Sequence, residues 1–211
     1  MKKYILIISL FISIPHLSFS QTNVAKNLSD SIAAARKDSM KLAKLESIAY
    51  YPLIKAGPWS GVLPVEGVDE IPDPKREYKL LFEFTLIFKD TTHARLNPGL
   101  VEIARVLNLH VASGIPISHI HPVIAVHGPS LYSIENNDVY QKKFKKDNPN
   151  YKLIQDLMKN GARFIACGQA MKFLDIKKDE LSPGVKVSLT AQTVLSNYIG
   201  QGYVWYNINE E

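Results

Sequence analysis

The chain has 211 residues, 46% hydrophobic and 21% charged, with 25 Lys and Arg against 20 Asp and Glu. That hydrophobic content excludes wholesale disorder, and 11 Gly with 12 Pro exclude a collagen-like or low-complexity chain. A single cysteine excludes a disulfide scaffold and a cysteine zinc finger. The net charge of +5 is mild, and its compact basic run, Lys142 to Lys146, reads as a solvated helix face. Nucleic acid is therefore not an expected partner.

Residues 1–20 read as a secretory signal peptide. Met1-Lys2-Lys3 is a short positive start, Tyr4 to Ile14 is almost wholly apolar, and Pro15 and His16 interrupt it. Ser18 and Ser20 place small residues before a cleavage site after Ser20. The apolar stretch is short for a permanent span, so no membrane association is expected after cleavage. The expected location is periplasmic or secreted. Cleavage removes Lys2 and Lys3 and no acid, which lowers the net charge to +3.

Residues 21–77 form an N-terminal helix and an arm rich in Pro and Gly. Over 22–50, Leu28, Ile32, Ala35, Leu42, Leu45 and Ala49 recur at helical steps. Over 51–77, five prolines and three glycines forbid a continuous helix or a central strand. Two readings of the arm stand: docked on its own domain or a neighbouring subunit, or a loose tether. Tyr51 and Trp59 tilt the balance toward docking.

Residues 78–211 alternate strand and helix. Tyr78–Ile87 reads as a buried strand. Asn97-Pro98 caps a helix with Leu100, Ile103, Ala104, Leu107 and Val111 as its apolar stripe, ended by Gly114. A second strand spans His121–His127, a helix Asn150–Asn160, and a third strand Arg163–Cys167. A short helix at Gln169–Leu174, a fourth strand at Val185–Leu189, a helix at Thr190–Ile199 and a fifth strand at Tyr203–Ile208 complete the order. Short apolar strands separated by helices imply a parallel sheet with helices on its faces.

Open parallel sheets place their sites at the carboxyl ends of the strands. The second strand ends at His127-Gly128 and the third at Cys167-Gly168, each a reactive type of side chain before a glycine. A thiol preceding a helix feels the positive end of its dipole, and thiolate is the nucleophilic form. His127 on an adjacent strand would add to that effect. Equally, a lone cysteine after Phe164-Ile165-Ala166 is compatible with a small buried hydrophobe. His119 and His121 share one face of an extended segment, but nothing nearby completes a ligand set, so no metal is expected. Ser130 lies outside a G-x-S-x-G elbow, and no G-x-G-x-x-G or P-loop follows the first strand. No cofactor is expected.

The units Arg163-Phe164-Ile165-Ala166-Cys167-Gly168-Gln169, Leu181-Ser182-Pro183-Gly184-Val185, Gly202-Tyr203 and Val126-His127-Gly128-Pro129 together resemble the DsrE/DsrF-like family across about residues 78–211. The resemblance implies a three-layer α/β/α fold with a five-stranded, mostly parallel sheet. It also implies homo-oligomers, commonly trimers or hexamers. In sulfur-relay members a cysteine at the end of the third strand carries persulfide sulfur, and Cys167 occupies that place. The expected site is then Cys167 and His127 as catalytic residues, with Gly128, Gly168, Gln169 and Ala170 as binding residues. The amides of Gly168 to Ala170 would stabilise the thiolate, and a sulfur donor or acceptor protein would be the partner. The competing reading is a non-catalytic oligomeric binding or scaffold protein with an inert, buried Cys167. A hydrolase or metalloenzyme ranks last.

Overall fold

The computed structural model describes residues 19–209. The predicted export signal lies, apart from Phe19 and Ser20, outside the described residues. The chain divides into two compact units, Met1–Lys44 and Leu45–Glu211. Among the described residues of the first unit there is one element, most of helix α1 (Phe19–Ile48). Its residues 30–41 are exposed, Ile32 and Met40 included. No helix among the described residues is long and apolar enough to cross a membrane.

The second unit is built on five parallel strands: β1 (Tyr78–Phe84), β2 (Ile120–Val126), β3 (Arg163–Cys167), β4 (Lys186–Ser188) and β5 (Val204–Ile208). Their order across the sheet is β4-β3-β2-β1-β5. Helices α2 (Pro98–Ala112), α3 (Asn137–Phe144), α4 (Tyr151–Lys159), α5 (Gly168–Phe173) and α6 (Ala191–Gly200) connect them. The result is the α/β architecture expected from the sequence, with element ends displaced by up to three residues.

Side-chain alternation splits the three inner strands, β1, β2 and β3, between two cores. Leu80, Phe82, Phe84, Ile124, Val126, Phe164 and Ala166 face the larger one, with Leu100, Ile103 and Leu107 of α2, Ile154 and Leu157 of α4 and Met171 of α5. Leu81, Val123, Ala125 and Ile165 face the smaller one, covered by Val194 and Tyr198 of α6. The Asn97 cap forms as the sequence predicts: its side chain accepts from Gly99 N at 2.8 Å. In α4 the third buried residue is Leu153, while Met158 is only partly buried.

The arm is anchored between Tyr50 and Val62, which exchange backbone hydrogen bonds of 3.0 and 2.9 Å. Gly61 is required there, because a Cβ would come within 2.7 Å of Ala49 Cβ. Ile54, Ala56 and Val62 are buried. Asn108 of α2, fully buried, holds this loop by both ends of its amide. Its Oδ1 accepts from Leu53 N (3.0 Å) and Ile54 N (2.9 Å), and its Nδ2 donates to the carbonyls of Ile54 and Ser60, both at 2.7 Å. Trp59 takes no part in the anchorage and is 64% exposed. Residues 63–71 are exposed throughout.

Between β2 and α4 the sequence marks only the Lys142–Lys146 helix face. The structure places a 3₁₀ segment there (Gly128–Ile134), followed by α3. Asn136 caps α3 by accepting from Val139 N at 3.0 Å, and Lys145 ends it in a left-handed conformation. Asn148 then ties the segment down, donating to the carbonyls of Ser133 (3.0 Å) and Glu135 (2.6 Å).

Candidate functional site

The register brings Cys167 and His127 side by side. Val126 pairs with Ala166, so the next residue of each strand, still extended, stands opposite the other. Alternation points both toward the face covered by α6, on neighbouring strands about 4.8 Å apart. Gly128, at φ +65°, then turns the chain sharply into the 3₁₀ segment, a conformation that disfavours any residue with a Cβ. Ser130 holds this turn, its hydroxyl lying 2.8 Å from the Phe84 carbonyl and 2.7 Å from that of His127.

The histidine has a partner that sequence reasoning missed. His127 Nε2 lies 3.0 Å from Glu83 Oε1, and the Glu83 side chain is only 16% exposed. With Nε2–H donating to the carboxylate, Nδ1 is left as the acceptor. The signal for Glu83 was available: a carboxylate inside the apolar run Tyr78–Ile87, at an alternate position that a buried strand would fill with a hydrophobe.

The sulfur itself is enclosed. Cys167 is 5% exposed, and its Sγ lies 4.0 Å from Thr190 Oγ1. Thr190 is the N-cap of α6, accepting from Gln192 N at 3.4 Å. The expected helix was α5, directly after the cysteine. That helix has six residues and receives no cap bond from the thiol. The Gln169 amide, one of the three donors expected to face the thiolate, instead donates to Leu189 O at 3.1 Å. The helix end in contact with the sulfur is thus that of α6, ten residues long and supplied from across the β3–β4 pair.

Gly168 serves packing. A Cβ there would meet Ser188 O at 2.6 Å, so the residue after the cysteine must be glycine for β4 to approach. Ala170 is half-buried and packs against the larger core, and the Gln169 side chain is exposed. Leu189, whose carbonyl takes the Gln169 amide at this corner, is 74% exposed. Among the described residues, no group of three or more His, Cys, Asp or Glu could hold a metal ion.

No curated protein matches this chain. Among solved structures it is similar to a protein of unknown function, MTH1491, from Methanobacterium thermoautotrophicum. The two share 16% identity over 62% of this chain and 99% of that one, with a TM-score of 0.47. The DsrE/DsrF-like family model matches residues 82–205. That stretch is more than half of the sequence and runs from β1 into β5, so the chain belongs to the DsrE/DsrF-like family.

Proposed function

We propose that this protein is an exported sulfur carrier in which Cys167 holds sulfane sulfur as a persulfide. The observation that carries the reading is the line Glu83–His127–Cys167 at the carboxyl ends of three adjacent strands, with the sulfur against the N-cap of α6. His127 Nδ1 takes the thiol proton, and Glu83 stabilises the imidazolium that results. The Cys167 thiolate attacks the outer sulfur of a donor persulfide. A new S–S bond forms at Cys167, the donor S–S bond breaks, and the donor leaves as a thiolate. Delivery is the same exchange in reverse, with an acceptor thiolate as nucleophile, and needs no external oxidant. The family relationship favours sulfur as the cargo. The exposed Leu189 offers an apolar contact for the donor or acceptor protein, and the exposed Val204 and Trp205 on the outer strand favour a homo-oligomer.

Mass spectrometry of the protein after incubation with a polysulfide tests the proposal. The expected result is a gain of one sulfur atom that reductant reverses and Cys167→Ser abolishes. No adduct, or an adduct retained in Cys167→Ser, overturns it. The burial of Cys167 favours a second reading, an oligomeric binding or scaffold protein with an inert thiol. Alkylation of Cys167 only in denaturant supports that alternative.

A further inference from the structure

A second site, separate from the cysteine, lies beyond the carboxyl end of β1. The loop after β1, the 3₁₀ segment and α3 line a half-open cavity of about 640 Å³. That volume falls in the range of small-molecule pockets. Its walls are rich in flat rings. His93 stacks on Phe144 with centroids 3.8 Å apart and planes 18° from parallel. Phe88, Tyr132 and Tyr140 add three more rings to the lining.

The polar groups are unequally engaged. Asp90 is consumed by its own loop: its carboxylate accepts from Thr92 N and Oγ1, Ala94 N, Arg95 N and Arg95 Nε. Those bonds, the Thr92 hydroxyl foremost, hold it well below the usual carboxylate range. Glu135 is buried and accepts from Lys143 Nζ at 2.7 Å. The cations keep capacity to spare. Arg95 spends Nε on Asp90 while its carbon centre stands 4.9 Å from the Phe88 ring centroid. Lys143 spends one of three N–H groups on Glu135 and stands 5.5 Å from the centre of Tyr132. Lys89 also lines the cavity. Asp90 is thus committed and one Glu135 oxygen is occupied by Lys143, while the cationic donors have N–H groups left over and stand beside ring faces.

We propose that this cavity binds a small aromatic acid: a planar ring that slides among the aromatic walls, with its anionic oxygens on Arg95 and Lys143. A ligand with donors instead of acceptors would compete with Lys143 for Glu135. A non-planar acid would forgo the ring contacts.

The experiment is titration of the full chain, followed by calorimetry, with 1-naphthoate, 1-naphthylmethylamine and cyclohexanecarboxylate. The expected result is one naphthoate per chain, bound at least tenfold tighter than either comparator. Arg95→Gln and Tyr132→Ala should each weaken naphthoate at least fivefold. Neither side chain belongs to the core (the Arg95 side chain is 64% exposed, Tyr132 41%), so the fold survives their removal. Equal affinity for the acid and the amine overturns the proposal. So does naphthoate binding that neither variant weakens, since it would then occupy another surface.

Discussion

Replacing Asn108 by alanine should release the arm from the domain. Four hydrogen bonds are lost at once, two to Oδ1 and two from Nδ2, and Asn108 is fully buried. At about 1 kcal/mol net for each bond, the loss is about 4 kcal/mol. The arm can limit that loss by peeling away, but it then surrenders the burial of Ile54, Ala56 and Val62. Full burial of a Val or Ile side chain is worth about 1.5–3 kcal/mol, so peeling costs a similar amount. Both routes lead to the same readout, backbone amide exchange at Leu53 and Ile54. These two amides donate to Asn108 and should exchange faster by roughly two to three orders of magnitude, at about 1.4 kcal/mol per tenfold. The midpoint of thermal unfolding should fall by about 8–16 °C, at about 2–4 °C per kcal/mol for a unit of this size. Retained protection at Leu53 and Ile54, or a midpoint shift of less than about 2 °C, would mean that Asn108 does not hold the arm.

Three further outcomes follow from the geometry. Glu83→Gln removes the charge that steadies protonated His127, so polysulfide should load Cys167 roughly 10- to 100-fold more slowly while the fold persists, read by time-resolved mass spectrometry. An unchanged rate removes Glu83 from the site. Gly168→Ala pushes a Cβ into Ser188 O, and chemical denaturation should show a loss of about 1–3 kcal/mol with the β3–β4 pair as the first region to exchange. Lys143→Met strands Glu135, whose carboxyl burial already pushes above its ordinary value against the pull of Lys143. A carboxyl raised in the folded state contributes stability below its unfolded value, near 4.5, and loses it as pH rises through the folded value. Removing Lys143 enlarges that rise. The variant should therefore be nearly as stable as the parent at about pH 4 and about 1–3 kcal/mol weaker at pH 7, less than for a fully buried pair because Lys143 is 44% exposed. An equal deficit at both pH values would exclude this account.

The strands, the main helices and the Cys167–His127 pair were readable because each depends on local pattern: apolar runs, the Asn97-Pro98 cap, and the glycines after His127 and Cys167. Legibility ended where one polar residue acts across a long separation. Asn108 interrupts an otherwise apolar helix stripe, and its partners lie 48 to 55 residues earlier in the chain. Glu83 is 44 residues from His127. The segment at residues 128–149 buries Leu131, Ile134 and Val139 at no regular helical or strand period and is tied down by Asn148 and Asn136, so periodicity gave no handle on it. The helix dipole was assigned to α5, next in sequence, whereas strand pairing brings α6 to the sulfur.

The strand order has a consequence for the chain during its synthesis. Among the described strands β1 is made first, yet it lies inside the sheet, and its second neighbour, β5, comes 120 residues later, from Phe84 to Val204. Its hydrogen-bonding edge at Leu80–Phe84 must wait for Val204–Ile208. At about 5–20 residues per second, the 124 residues from Phe84 to Ile208 take about 6–25 s to emerge. Throughout that interval the nascent chain carries an unpaired edge on an apolar strand, open to pairing with another chain. The ribosome thus makes β1 well before the strand that closes its second edge, and loss of β5 would leave that edge open for good.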